Sequence, residues 1–224
     1  MGPRRVVVLR HGRTTWNAER RFQGHADPPL DDVGRMQAYE VGEILAAIRP
    51  DVLVSSDAQR AAQTADIVGA AIGLPVLLDH RLRERGLGHW EGLTRDEVAQ
   101  QYPDEYADWV AGRDVSRRGG ESREEVAARV LAAFAQLPSA QLALLVTHSA
   151  TAMALTNGLL GIPQSAHPLG PLANCHWTEL IAEQHEGDEP RWRLRGHNLG
   201  VPGVVVPLPV REPAGEDETS DADA

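Results

Sequence analysis

Arg4-Arg5-Val6-Val7-Val8-Leu9-Arg10-His11-Gly12 is an apolar run that stops on an arginine, a histidine and a glycine. Residues 6–9 have the continuous β-branched and leucine composition of a strand buried on both faces. The polar residues come next at its C-terminal end, the side on which open α/β sheets form their ligand crevices. Arginine brings a planar fork of donors with fixed positive charge, histidine a nucleophile or proton carrier, and glycine room for close approach. Together they point to phosphate.

Strand-like runs recur along the chain with helical stretches between them. A helix is expected over 32–48, opened by Asp31-Asp32, then a strand over 51–55 and an Ala-rich helix over 58–72 closed by Gly73-Leu74-Pro75. A short strand comes next over 76–78. Segment 91–135 reads as helical, broken by Pro103 and Gly119-Gly120, and is expected to form a lobe over one edge of the sheet. Ser122 and Glu125 have the spacing of a capping box for its last helix. A fourth strand is expected over 142–146 with a helix over 150–160. Residues 177–182 and 191–195 alternate like a hairpin of edge strands around 184–190. Alternating strands and helices predict an α/β fold: a three-layer α/β/α sandwich on a mostly parallel sheet, with a helical inserted lobe. Residues 1–211 are expected to form one domain, and 212–224, acidic and almost without apolar residues, a disordered tail.

The composition of 42% hydrophobic and 24% charged residues is that of an ordinary globular protein, and the net charge of −10 argues against nucleic acid as a partner. A single cysteine, Cys175, excludes an internal disulfide and fits a reducing cytoplasm. No apolar stretch is long enough to span a bilayer, so no membrane partner is expected. All 22 basic residues are arginine, which excludes Schiff-base chemistry and a lysine-type phosphate loop.

The informative coincidence lies in the residues just past each strand. Arg10 and His11 end the first; Ser56-Asp57-Ala58-Gln59-Arg60 comes after the second, placing an arginine in the first turn of a helix; Thr147-His148-Ser149 comes after the fourth. In a parallel sheet these ends share one edge, so two arginines and two histidines from distant segments converge beside two helix N-termini, an anion site. The other seven of the nine histidines are assigned no function. A metal site is not expected, for there is no His-Glu-x-x-His helix, paired cysteines or regular carboxylate cluster. No serine elbow and no Gly-x-Gly-x-x-Gly fingerprint are present, so no cofactor is indicated.

Leu9-Arg10-His11-Gly12-Arg13-Thr14-Thr15-Trp16-Asn17 with Phe22-Gln23-Gly24 resembles the signature of the histidine phosphatase superfamily, in its phosphoglycerate-mutase-like branch. Ser55 to Ala61, Leu82-Arg83-Glu84, Gly88 to Gly92, Gly119-Gly120-Glu121-Ser122 and Thr147-His148 match in order, over roughly residues 4–160. The closing segments, 173–180 and 191–194, are similar to actinobacterial members. The resemblance implies that His11 attacks phosphorus to form a phosphohistidine that water hydrolyses. It also implies that Arg10, Arg60 and His148 neutralise the non-bridging oxygens. Asn17, Gln23 and Gly24 match positions that bind the phosphate or the rest of the substrate, and Ser149 adds a hydroxyl or caps the next helix. From the residues alone, Glu84 reads as an ion-pair partner of Arg81, Arg83 or Arg85; the family pattern makes it the leaving-group acid.

The expected activity is that of a phosphomonoesterase acting on a small phosphorylated metabolite. The alternative is a bisphosphate-dependent phosphoglycerate mutase, whose relatives carry a longer insert between the acid and the second histidine, with added basic residues including lysine. Here that interval is short and offers only Arg117-Arg118 as a basic pair. A silent phospho-ligand-binding module is a third reading, disfavoured because Arg10, His11, Arg60, Glu84 and His148 are all retained. A homodimer through the sheet edge at 177–195 is also expected.

Overall fold

The computed structural model describes residues 2–166, 168–183 and 191–201. The expected disordered tail at 212–224 and the turn at 184–190 lie outside these residues. β1 (Arg5–Arg10), β2 (Val52–Ser55), β3 (Val76–Leu78) and β4 (Leu142–Thr147) run parallel, joined by β5 (Trp177–Glu183) and β6 (Arg191–Leu199) in one six-stranded sheet ordered β3-β2-β4-β1-β5-β6. β5 runs antiparallel to β1.

Alternation along β1 decides the layers. Val7 and Leu9 face α2 (Asp32–Ile48) and α3 (Gln59–Ile72), in a core that includes Val41, Leu45, Ala65 and Val68. Val6 and Val8 face the opposite core, with Val130 and Phe134 of α6 (Arg123–Ala135) and Leu155 of α7 (Ser149–Leu160). Strands covered on both faces have no polar side, which is why the sequence reads there as an unbroken apolar run. The arrangement is the expected α/β/α sandwich.

Two expectations change. The 91–135 segment divides: the apolar stripe Val126, Ala127, Val130, Ala133, Phe134 packs α6 onto the sheet as an ordinary layer helix. Only α4 (Arg95–Gln101), α5 (Pro103–Val110) and the short turns around them stand apart, around Trp90, Val98 and Val115. This small cluster closes on Phe22, in the loop after β1, with its ring centroid 5.2 Å from that of Trp90 and 5.5 Å from that of Trp109. Second, of the 177–195 hairpin only β6 is an edge strand, because β5 pairs with β1.

No helix among the described residues is long and apolar enough to cross a membrane.

Candidate active site

Sheet hydrogen bonding continues past the strand ends and fixes the residues beyond them. His11 N–H donates to Thr147 O (2.9 Å), Ser56 N–H to Val146 O (2.9 Å) and Arg10 N–H to His176 O (2.9 Å). The loop after β1 is also pressed against α2. A Cβ on Gly12 would meet Gly34 O at 2.5 Å, so both glycines serve backbone contact. Gly12 therefore makes room for the helix packed beside it.

The two histidines expected to converge do so: His11 and His148 lie 5.1 Å apart between ring centroids, each almost fully buried. Their tautomers follow from their partners. His11 Nδ1 lies 2.7 Å from Gly12 O, which can only accept, so Nδ1 carries the proton and Nε2 the lone pair. His148 Nδ1 accepts from Arg60 Nε at 3.2 Å, and its Nε2–H donates to Ser56 Oγ at 2.9 Å. Burial, then the charges of Arg60 and Arg10, hold His11 well below the usual histidine range. Burial followed by Arg60 does the same to His148. Both rings are neutral near pH 7, and the positive charge at the site belongs to the arginines.

Arg60 is 1% exposed in the first turn of α3. Beyond His148 it donates to Ala26 O (2.7 Å) and Gly24 O (2.9 Å), tying the loop after β1 to the second strand–helix unit. Arg10 donates through Nη1 to Leu172 O (2.6 Å), while its Nε is buried with no hydrogen-bond partner. A buried charged donor left open in this way is costly unless an anion completes it.

Glu84 sits across the β4–α7 junction. Its Oε1 accepts from Arg85 N–H (2.9 Å) and Thr151 N–H (3.2 Å), and its Oε2 from Ala150 N–H (3.3 Å). α7 has no side-chain cap of its own, so this carboxylate takes the free N–H groups of its first turn. The simple ion-pair reading fails: Arg81 pairs with Asp79, Arg83 with Asp57 and Arg85 with Asp114. The charge of Glu84 acts instead on both Arg10 and Arg60. A cleft of about 190 Å³ opens beside it, lined by Gly24, His25, Asp27, Ala58, Arg83 and Glu84.

The remaining candidates divide. The Asn17 carbonyl is committed to the capping box of α1 (Thr15–Ala18), accepting from Thr14 N–H (3.1 Å), and to Asn174 Nδ2 (3.2 Å). Gln23 is buried with its Oε1 unpartnered. Gly24 lines the cleft. Ser149 opens α7 without capping it, a task that Glu84 performs.

Some supporting residues give no sequence signal. Asn174 binds His11 O (3.0 Å) from 163 positions away. Thr151 holds the backbone just before Glu84, its Oγ1 donating to Arg83 O at 2.7 Å. Ser56 meets His148, and only its place one residue past β2 hints at that.

Residues 6–198 match the model of the histidine phosphatase superfamily, branch 1. The chain belongs to this superfamily. It is 39% identical over 211 residues to glucosyl-3-phosphoglycerate phosphatase of Mycolicibacterium vanbaalenii, covering 87% of this chain and 94% of that protein. It is 38% identical over 207 residues to a probable phosphoglycerate mutase, GpmB, of Salmonella paratyphi C, covering 91% and 94%. Among solved structures, mycobacterial glucosyl-3-phosphoglycerate phosphatase in complex with VO3 superposes with a TM-score of 0.77 at 37% identity, over 87% of this chain and 99% of that one. As a branch 1 superfamily member this chain has the fold that its own alternation of strands and helices implies.

Proposed function

We propose that this histidine phosphatase superfamily member is a phosphomonoesterase that hydrolyses a small phosphorylated metabolite through a phosphohistidine on His11. One observation carries the reading: a neutral imidazole whose Nδ1 is fixed by Gly12 O, leaving the Nε2 lone pair free beside two arginine charges. A neutral ring nitrogen is nucleophilic at pH 7, and the covalent route divides one hard displacement into two easier ones.

In the first step Nε2 of His11 forms a bond to phosphorus as the ester oxygen leaves. Arg10, with its open Nε, and Arg60 stabilise the charge on the non-bridging oxygens. The dianion offsets the cationic surroundings of His148, which can then take a proton and add a third charge. Glu84 gives the leaving oxygen its proton; in the second step it takes one from the water that cleaves the phosphohistidine. Asn17 through its amide nitrogen, with Gln23, Gly24 and Ser149, contacts the bound phosphate or the adjoining part of the substrate. No step calls for a metal ion, so a chelator should leave turnover unchanged.

The substrate class is a phosphoglycerate-type ester or sugar phosphate, in keeping with the curated relative that acts on glucosyl-3-phosphoglycerate. That a relative's structure holds VO3, a phosphate-like oxoanion, supports the same chemistry. The probable mutase among the relatives keeps a second reading open. Against it, the one basic pair of the interval is spent elsewhere: Arg117 pairs with Asp108 at 2.7 Å, and Arg118 is buried over the Trp90 ring. Hydrolysis of phosphorylated metabolites without added bisphosphate, compared by kcat/KM, tests the proposal. Turnover that requires the bisphosphate and interconverts phosphoglycerates would replace it with the mutase.

The lone cysteine fits a cytoplasmic location, and the exposed edge of β6 a homodimer. Fractionation and sedimentation would test these two readings.

A further inference from the structure

The Gly119-Gly120-Glu121-Ser122 motif has no part in the chemistry above, yet its carboxylate stands directly behind the acid. Glu121 Oε2 accepts from Gly86 N–H (2.8 Å), while Glu121 N–H donates to Gly86 O (2.9 Å), so the turn just after Glu84 is gripped in both directions. Gly120 permits the approach, since a Cβ there would meet Gly86 O at 2.1 Å. The other side of Glu121 forms a fork with Arg129, whose Nε donates to Oε1 (2.7 Å) and Nη2 to Oε2 (2.9 Å).

Arg129 spends its remaining donors on backbone. Nη1 donates to Arg81 O (2.7 Å) and Arg83 O (2.8 Å), and Nη2 to Glu84 O (3.0 Å). The Glu84 carbonyl also accepts from His25 Nε2 at 2.9 Å. That imidazole is drawn above its ordinary range, first by its hydrogen bond to Glu121. The backbone on both sides of Glu84 thus hangs from one guanidinium and one carboxylate, and neither lines the cleft. The pair is largely buried, with side chains 19% and 24% exposed, so its geometry is held in place. A planar fork spanning three carbonyls fixes position.

We infer that Glu121 and Arg129 are positioning residues for Glu84, a clamp on the backbone that aims its carboxyl at the leaving oxygen. The inference rests on the proposed role of Glu84 as the proton donor. Positioned acid catalysis is worth roughly 10²–10⁴ in rate, and small displacements forfeit much of it. The loss should grow as the leaving group becomes a poorer one, since a good leaving group departs without a proton.

The test measures kcat/KM over a series from nitrophenyl to alkyl phosphates for wild type, Glu84→Gln, Glu121→Gln, Arg129→Lys and Arg129→Met. Melting temperatures are taken in parallel, and Arg129→Lys and Glu121→Gln serve where Arg129→Met does not fold. We expect the clamp variants to lose on the order of tenfold or more with alkyl esters and under about threefold with nitrophenyl phosphate. In the Glu84→Gln background, Arg129→Lys should add no further leaving-group-dependent loss. Equal slowing of all esters by the clamp variants, or none, while Glu84→Gln stays graded, would overturn the clamp alone. A flat response of Glu84→Gln itself would overturn the acid assignment and the clamp with it.

Discussion

The buried cluster of His11, Arg60 and His148 and the cleft that opens beside Glu84 are built differently. In the cluster all three are within 3% of complete burial; His11 and His148 directly follow β1 and β4, and Arg60 stands in the first turn of α3. The cleft residues His25, Asp27, Ala58, Arg83 and Glu84 come from connecting segments and are exposed or partly exposed. In the proposed mechanism the buried cluster is the phosphate end, which determines what bond is broken, and the cleft is the leaving-group end, which determines what it is broken from. A sheet can hold one chemistry constant while its loops vary the substrate.

The sharpest way to break this contrast is at the nucleophile. His11→Ala should lower turnover by roughly 10⁴ or more while the melting temperature stays near that of wild type. Substantial activity in that variant would show that the buried end does not carry the chemistry. Arg60→Ala should cost on the order of 10²–10³ in kcat/KM for every substrate alike. It should also lower stability, because it frees the Gly24 and Ala26 carbonyls, a loss that thermal denaturation would register.

At the other end, effects should depend on the substrate. Glu84→Gln should slow alkyl phosphates by about a hundredfold and nitrophenyl phosphate far less. Ala58→Leu, which fills part of the cleft, should cost about tenfold with bulky esters and little with small ones. A uniform loss across ester sizes would show that the two ends are not separable.

Acid should act first on the phosphate end. Both histidines have folded-state values below their unfolded ones, so the unfolded chain binds more protons below about pH 6.5, the ordinary histidine value. The stability that rests on the neutral rings is therefore present above that pH and is lost as pH falls, by up to about 1.4 kcal/mol per pH unit for each histidine. Because His11 stays neutral, kcat/KM should show no loss from its titration near pH 6.5, once corrected for the fraction of substrate dianion. Denaturant titrations and pH–rate profiles over pH 5–8 would check both statements.

The same contrast explains what the sequence discloses. The phosphate end is legible because strand ends bring it together: apolar runs mark the strands, and Arg10, His11, Arg60 and His148 stand at fixed short distances from them. Glu84 is harder to read, being surrounded by Arg81, Arg83 and Arg85, and residue spacing does not tell that each has an aspartate of its own. Asn174, Thr151 and Arg129 act through backbone carbonyls remote in sequence, and such contacts leave no periodic or compositional trace. The lobe is shorter than the sequence suggests for a related reason. α6 has the apolar stripe of a sheet-packing helix, but it follows α4 and α5 in one helical stretch, so the sequence reads as one common insert.

Most depends on His11 carrying the phosphoryl group. Rapid acid-free quenching of enzyme with labelled substrate, followed by peptide mass spectrometry, measures this directly. One phosphate per chain on His11, acid-labile, base-stable and formed within the first turnover, is the predicted result. A chain that turns over substrate with no phosphoenzyme, or with the label on another residue, would contradict it.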